Sequence, residues 1–439
     1  MVLKMTSPLP WILPLILLLL APAPVAGQAQ EGEPGAPPVL LPWEKPMEKF
    51  QDPPRRRRRR GPPPTAPPAP LPEVPKEEEE TGVEDRYLAI VGGFIHSIVG
   101  PDIVEGTVIS KNGRITDIGT ALEIPSGAEV IDASGLHVYP GLVTFESRSL
   151  IGSGQVESTH DPWGIQTVLG LAAGITSVFN GSVVGKLAHG TLDGVKVRAP
   201  AFERISYSSR NPDGRRKLRR ALERIREFHR ATERYEEKKK TNPDAKEPDS
   251  KWIRGEYLQA RKLIEGDATA LVSANTVHEI REICDLARQF KFRLVIRGAV
   301  EGWIDPGIIA RSRASVVVTP RARNDRDVTR IAKNGSSIEN AKILHQYGVP
   351  VAILPQQTRI SMGGLAGRDL QHYTMEAAYA VRGGLPERAA IEGLTIVPAQ
   401  LLGVDDRIGS IEVGKDADFV IVDGDLLHYM TMPRWTVVN

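Results

Sequence analysis

A chain of 439 residues, 41% of them hydrophobic and 25% charged, has a globular composition with room for one large domain and a smaller one, or two or three ordinary ones. The 56 Lys and Arg are matched by 54 Asp and Glu, which gives no net field to draw nucleic acid or a charged membrane surface. A single cysteine, Cys284, excludes an internal disulfide and a cysteine-rich metal site; its setting, "EIREICDLARQF", has helical spacing and reads as buried.

Residues 1–27 carry Lys4, the short apolar run "WILPLILLLLAPAP" and the small residues of "PVAGQAQ", the order of a cleavable export signal. Pro14 breaks the run, which is too short to span a bilayer comfortably. The mature chain is therefore expected to be exported, periplasmic or extracellular, without a transmembrane span. Residues 28–85, with "PPRRRRRRGPPPTAPPAPLPEVPKEEEE", hold almost no aromatic or β-branched side chains. They cannot bury enough surface to offset the entropy of ordering, so they read as a disordered Pro/Arg/Glu-rich tether.

Residues 86–140 are expected to form a small β-domain. Short β-rich runs there alternate with the turn signals "VGG", "GPD" and "KNGR". Gly92–Gly93 lacks the third glycine and the following helix of a nucleotide fingerprint. From Gly141 to about residue 402 strands alternate with helices, as in "ATALVSANTVHEIREICDLARQFKFRLVIRG". That rhythm implies a parallel sheet, with a (β/α)8 TIM-like barrel as the leading architecture and a doubly wound sheet as the alternative. A charged helical insertion interrupts it at about 205–252, where Leu218, Leu222, Ile225, Phe228 and Tyr235 make a narrow apolar stripe.

Three stretches resemble the amidohydrolase superfamily, in particular its exported, imidazolonepropionase-like members. "VEGTVISKNGRITDIGTALEIPSGAEVIDASGLHVYPGLV" is similar to the N-terminal β-domain and its Pro-Gly-Leu turn into the first barrel strand. "AAIEGLTIVPAQLLGVDDRIGSIEVGKDADFVIVDGDLL" is similar to the last barrel helix and the return to that β-domain. Between them, "GITSVFNGSVVGKL" and the strand–helix–strand quoted above follow the barrel. The resemblance implies an α/β fold: a (β/α)8 barrel with a small β-sandwich formed from both chain ends, 86–140 and 403–439. The second part looks truncated, so a sheet edge is expected to stand open or to be completed by another chain.

Members of that family hydrolyse carbon–nitrogen bonds other than peptide bonds with one or two divalent metals at the C-terminal ends of the barrel strands. The resemblance puts the His-x-His pair of strand one on Glu146 and Arg148. It puts the histidines of strands five and six on Ser273 and Gly298, and the strand-eight aspartate on Gln356, or on Pro355 one place earlier. None is the family residue, so the metal site is degenerate and no cofactor is expected. An ion pair between Glu146 and Arg148 is expected where the metal would stand.

The nine histidines do not restore a ligand motif. His96, His137 and His428 fall in the β-domain, while His229, His278 and His345 fall on helices. A relocated site would have to use His160, His189 and His372. Glu146 and Glu301 could pair as catalytic carboxylates, although Glu301 could instead simply pair with Arg297. "IGSG" around Ser153 is not a nucleophile elbow and "GSVVGKL" is not a phosphate loop. Asn180 and Asn334 match the glycosylation sequon.

The function expected is thus that of a pseudoenzyme: an exported, non-catalytic binding or partner subunit, paired with an active amidohydrolase homologue or with copies of itself. Two other readings stand beside it. One is an active hydrolase that holds zinc or another divalent metal with relocated ligands; the other is a cell-envelope scaffold using the tether.

Overall fold

The computed structural model describes residues 85–439 apart from 148, 153, 208–210, 330 and 361–366. The export signal, the tether up to residue 84, Arg148 and Ser153 lie outside the described residues.

The chain opens with β1 (Tyr87–Ile95), β2 (Ile103–Lys111), β3 (Arg114–Gly119), β4 (Glu129–Asp132) and β5 (His137–Pro140). Asn112 and Gly113, both at positive φ (49° and 75°), make the tight turn between β2 and β3 that "KNGR" signals. Then come β6 (Leu142–Thr144), α1 (Val156–Thr159), α2 (Ile165–Ala172), β7 (Ile175–Phe179), β8 (Val184–Lys186), β9 (Lys196–Arg198) and β10 (Phe202–Ile205). They are followed by α3 (Pro212–Thr241), α4 (Glu256–Glu265), β11 (Thr269–Ala274), α5 (Val277–Phe290), β12 (Leu294–Gly298), α6 (Pro306–Arg311) and β13 (Ser315–Val318). The series closes with α7 (Asn340–Gln346), β14 (Val351–Ile353), α8 (Tyr373–Arg382), α9 (Glu387–Glu392), α10 (Ile396–Leu402), β15 (Phe419–Val422) and β16 (Pro433–Val437).

The two chain ends do share a sheet, in the order β16-β15-β5-β1-β2-β3 with β4 added on β1. It differs from the expected sandwich: among the described residues all seven strands belong to one sheet. That sheet is wrapped around its own cluster of Ile90, Ile95, Val108, Val138, Phe419 and Ile421. Lys186 on β8, fully buried, joins this sheet to the rest of the protein through ion pairs with Asp416 (2.9 Å) and Asp418 (3.0 Å).

Between the ends, β10 to β14 form a parallel five-stranded sheet in sequence order, and β6 to β9 form a second sheet in which only β6 and β7 are parallel. A closed eight-stranded ladder is not formed among the described residues. The physical reason is visible at the seam between β14 and β6. Ile353 donates its N–H to Gly393 O and Val143 donates to Leu394 O, both at 2.9 Å. The buried Tyr373 hydroxyl stands 2.9 Å from Ile353 O and 3.0 Å from Val143 O. A turn and a phenol therefore satisfy the edge groups that direct strand pairing would have used.

The inner faces of both sheets nevertheless meet in one cluster, with Val143 and Phe145 from around β6, Phe179 from β7, Leu271 from β11, Val295 from β12, Val317 from β13 and Ala352 from β14. Residues two apart on a strand face the same way. The next inward positions toward the strand C-termini are therefore Ser273, Arg297 and Arg204, which follow Leu271, Val295 and Phe202. In the insertion, Asn211 caps the 30-residue α3 by accepting from Gly214 N at 3.0 Å. Buried Ala221, Leu222 and Ile225 hold that helix down.

Candidate functional site at the strand ends

Parallel register places Ser273 directly beside Arg297, and Arg204 beside Leu271. Glu146, two residues past β6, is buried at 7% exposure and reaches this layer. Its Oε2 lies 2.9 Å from Arg297 Nη1, and its Oε1 accepts from Arg204 Nη1 and Nη2 at 3.3 Å. The carboxylate is thus clamped by two guanidiniums from two other strands. The cation expected beside Glu146 is supplied by Arg204 and Arg297; Arg148 lies outside the described residues. An open cavity of about 670 Å³ adjoins the clamp, lined by Glu146, Ser149, Arg297, Gln357, Thr358 and Arg359.

The other positions drawn from the resemblance fall at the same end of the sheets. Ser273 is exposed at the end of β11, and Gln356 is exposed just past β14, after the buried Pro355. Gly298 stands at φ 99°, and a Cβ there would collide with Asn275 Oδ1. The backbone requires glycine. The side chain that faces inward from β12 belongs to its neighbour Arg297.

These residues do not fit a divalent metal. Such an ion needs about four nitrogen or oxygen donors. Here the one carboxylate is already neutralised by two cations, Gly298 can offer no side chain, and Ser273 and Gln356 are neutral oxygen donors. Among the described residues no three His, Cys, Asp or Glu side chains form a group that could hold a metal ion. His160 is buried at the end of α1 and its Nε2 donates to Ala188 O at 3.0 Å, while His189 is exposed. His372 Nδ1 accepts from Gly367 N at 3.2 Å and lies 3.4 Å from Asp369.

Glu301 corrects a sequence expectation. Its oxygens accept from Val277 N and Gly335 N, both at 2.8 Å, which ties the start of α5 to a distant loop. It pairs with neither Glu146 nor Arg297. Asn180 is likewise buried and used internally, donating to Gly152 O and accepting from Ser182 N and Val183 N.

A second cluster was hidden from sequence reasoning because its members are far apart in the chain. His96, Asp102, His137, Tyr139, Glu387, Arg388 and Asp425 line a cleft of about 350 Å³. His96 Nδ1 faces Asp102 at 3.0 Å and its Nε2 faces His137 Nδ1 at 3.0 Å. A carboxylate can only accept, so His96 donates from Nδ1 and receives the His137 Nδ1–H. Burial pushes the His96 imidazole down against the opposing pull of Asp102. The hydrogen bond from Glu387 to Asp425, with some burial, raises Glu387 to about 7.

The amidohydrolase family model matches residues 303–439. An amidohydrolase, tasK, of Hapsidospora irregularis is 46% identical over 57 residues, 13% of this chain and 6% of that protein. The adenine deaminase of Moorella thermoacetica is 29% identical over 150 residues, 30% of this chain and 25% of that enzyme. The crystal structure of an amidohydrolase from Thermotoga maritima has a TM-score of 0.60 at 23% identity, covering 80% of this chain and 98% of that one. The resemblance to the amidohydrolase superfamily is borne out.

The structural likeness speaks for the amidohydrolase fold. The chain spans no more than a quarter of the length of the two curated relatives. Among the described residues no helix is long and apolar enough to cross a membrane.

Proposed function

We propose that this chain is an exported binding or partner subunit built on the amidohydrolase barrel, in which carbon–nitrogen bond hydrolysis has been lost. In this reading the two inner sheets are arcs of one barrel wall, their shared cluster is its interior, and the strand ends are the former active-site mouth. The observation that carries the reading is the clamp on Glu146. Metal chemistry needs several free nitrogen or oxygen donors to hold the ion that turns a bound water into hydroxide near neutral pH. Two guanidiniums on the first-strand carboxylate supply the positive charge without supplying a Lewis acid or a nucleophile. The partner proposed is an active amidohydrolase homologue or a second copy of this chain.

Elemental analysis of the purified chain tests the proposal. The expected result is substoichiometric zinc, manganese and iron, with no turnover of amide or cyclic amidine substrates. About one zinc per chain, with hydrolysis abolished by chelation and restored by the metal, would overturn it.

A further inference from the structure

We propose that the cavity beside Glu146 binds a polar small molecule through an oxyanion, either a carboxylate or a phosphate group. The proposal takes its location from the binding reading above and adds the chemistry of the ligand.

The first observation is the excess of arginines over acids at this cavity. Arg321 and Arg407, half-buried elsewhere in the structure, are each matched by an acid, Glu376 and Asp416, both at 2.7 Å. At the strand ends Arg204 and Arg297 share a single carboxylate, Glu146, and Arg359 lines the cavity together with Arg297. Arg359 has no acidic partner among the described residues. Uncompensated cations in a concave site focus positive potential and concentrate anions.

The second observation is the state of the donors. A guanidinium has five N–H groups. Arg204 uses two nitrogens in hydrogen bonds to Glu146 Oε1, while Arg297 stands in ion-pair range of Oε2 without a hydrogen bond to it, and their side chains remain 41% and 37% exposed. Glu146, being buried, fixes both side chains from below, so their remaining donors are held in place before a ligand arrives. Planar donor pairs of this kind match carboxylate and phosphate oxygens.

The third is the lining. Ser149, Gln357 and Thr358 complete the wall among the described residues. Their hydroxyl and amide groups suit the polar body of a hydrophilic anion.

Calorimetric titration of the full chain at low ionic strength tests this, with inorganic phosphate, citrate and neutral glycerol as probes. Saturable binding of phosphate, citrate or both is expected, and none of glycerol. Phosphate alone assigns a phosphate ligand, and citrate alone a carboxylate. Arg359→Ala is expected to weaken binding about tenfold with unchanged thermal stability, Arg359→Lys to weaken it less, and Arg224→Ala on α3 not at all. The proposal is overturned if neither anion saturates, or if Arg224→Ala weakens binding as much as Arg359→Ala. A zinc-loaded active enzyme would defeat the proposed function and leave this result standing; a metal-free chain without anion binding would do the reverse.

Discussion

Arg297 Nη1 stands 2.9 Å from Glu146 Oε2, joining the end of β12 to the segment that follows β6. The pair crosses the seam-bearing side of the structure, so it serves packing as well as charge. Replacing Glu146 by Gln leaves two guanidiniums facing each other with no anion between them. Because both are about two-fifths exposed, the cost is expected to be about 1–2 kcal/mol, below that of breaking a fully buried pair. Urea denaturation reads that loss. The same variant is expected to bind phosphate or citrate more tightly than the parent, a gain that a purely structural role for Glu146 would not produce.

Gly298 gives a sharper test of the backbone. At φ 99°, with Asn275 Oδ1 in the path of a Cβ, Gly298→Ala combines strain with collision and is expected to cost at least about 2 kcal/mol. Adding Asn275→Ala is expected to recover the collision part only, since the left-handed φ remains. Full recovery in the double variant would show that strain is negligible here.

The Tyr373 hydroxyl serves two carbonyls at the β14–β6 seam. Tyr373→Phe is expected to destabilise the fold by about 1–3 kcal/mol, since buried carbonyls lose a donor with no water to replace it. Hydrogen exchange at the Val143 and Ile353 amides, which bond to Leu394 and Gly393, is expected to accelerate more than exchange at Val316 on β13, an interior strand of the five-stranded sheet. Uniform acceleration would mean that the hydroxyl does not act at the seam.

These residues also show what could be read from the chain. Hydrophobic runs such as "LVIRG" and the capped helix beginning at Thr276 are local signals, and the α/β alternation follows from them. Pairing across the seam is set by Tyr373, Gly393 and Leu394, which sit on no strand and carry no periodic signature. The site shows the same division. Glu146 could be found from its place after "YPGLV", but the resemblance pointed to Gly298 where the inward side chain is Arg297, because register parity decides which of two neighbours faces the cavity. Arg204 stood just before the charged insertion, where one more arginine carries no information. The His96–His137 relay joins two strands of one sheet and needed the pairing of β1 with β5 to become visible.

Lys186 is 1% exposed and pairs with Asp416 and Asp418. Lys186→Met removes the one cation that faces both acids among the described residues, leaving Asp416 with Arg407 at 2.7 Å and Asp418 with none, and is expected to cost about 3–5 kcal/mol. A second change, Asp418→Asn, is expected to return a large part of that loss, because it removes the carboxylate left without a cation. Guanidinium denaturation of the two variants decides it. Additive losses would mean that the three groups do not act as a unit.

The cleft at Glu387 makes stability depend on pH. Glu387 is raised from 4.5 to about 7 by its hydrogen bond to Asp425 and by burial, so between those values the folded chain holds a proton that the unfolded chain has released. Its contribution is fully present below pH 4.5 and is lost as the pH rises through about 7. Asp425 is lowered by the Glu387 hydrogen bond against its own burial. Its contribution is present above the unfolded value of 3.8 and is lost as the pH falls through its folded value. His96 works against Glu387: burial lowers it from 6.5, so its share of stability grows as the pH rises toward that value. The whole-protein curve therefore mixes opposing slopes, and the difference between parent and Glu387→Gln isolates one of them. The amide can still donate to Asp425 but cannot titrate. Thermal melts from pH 4 to 8 are expected to show the parent losing stability relative to Glu387→Gln as the pH passes from about 4.5 to 7. The effect is small, because Glu387 is solvent-exposed and water screens the pair. Parallel curves across that window would rule out a shared proton between Glu387 and Asp425.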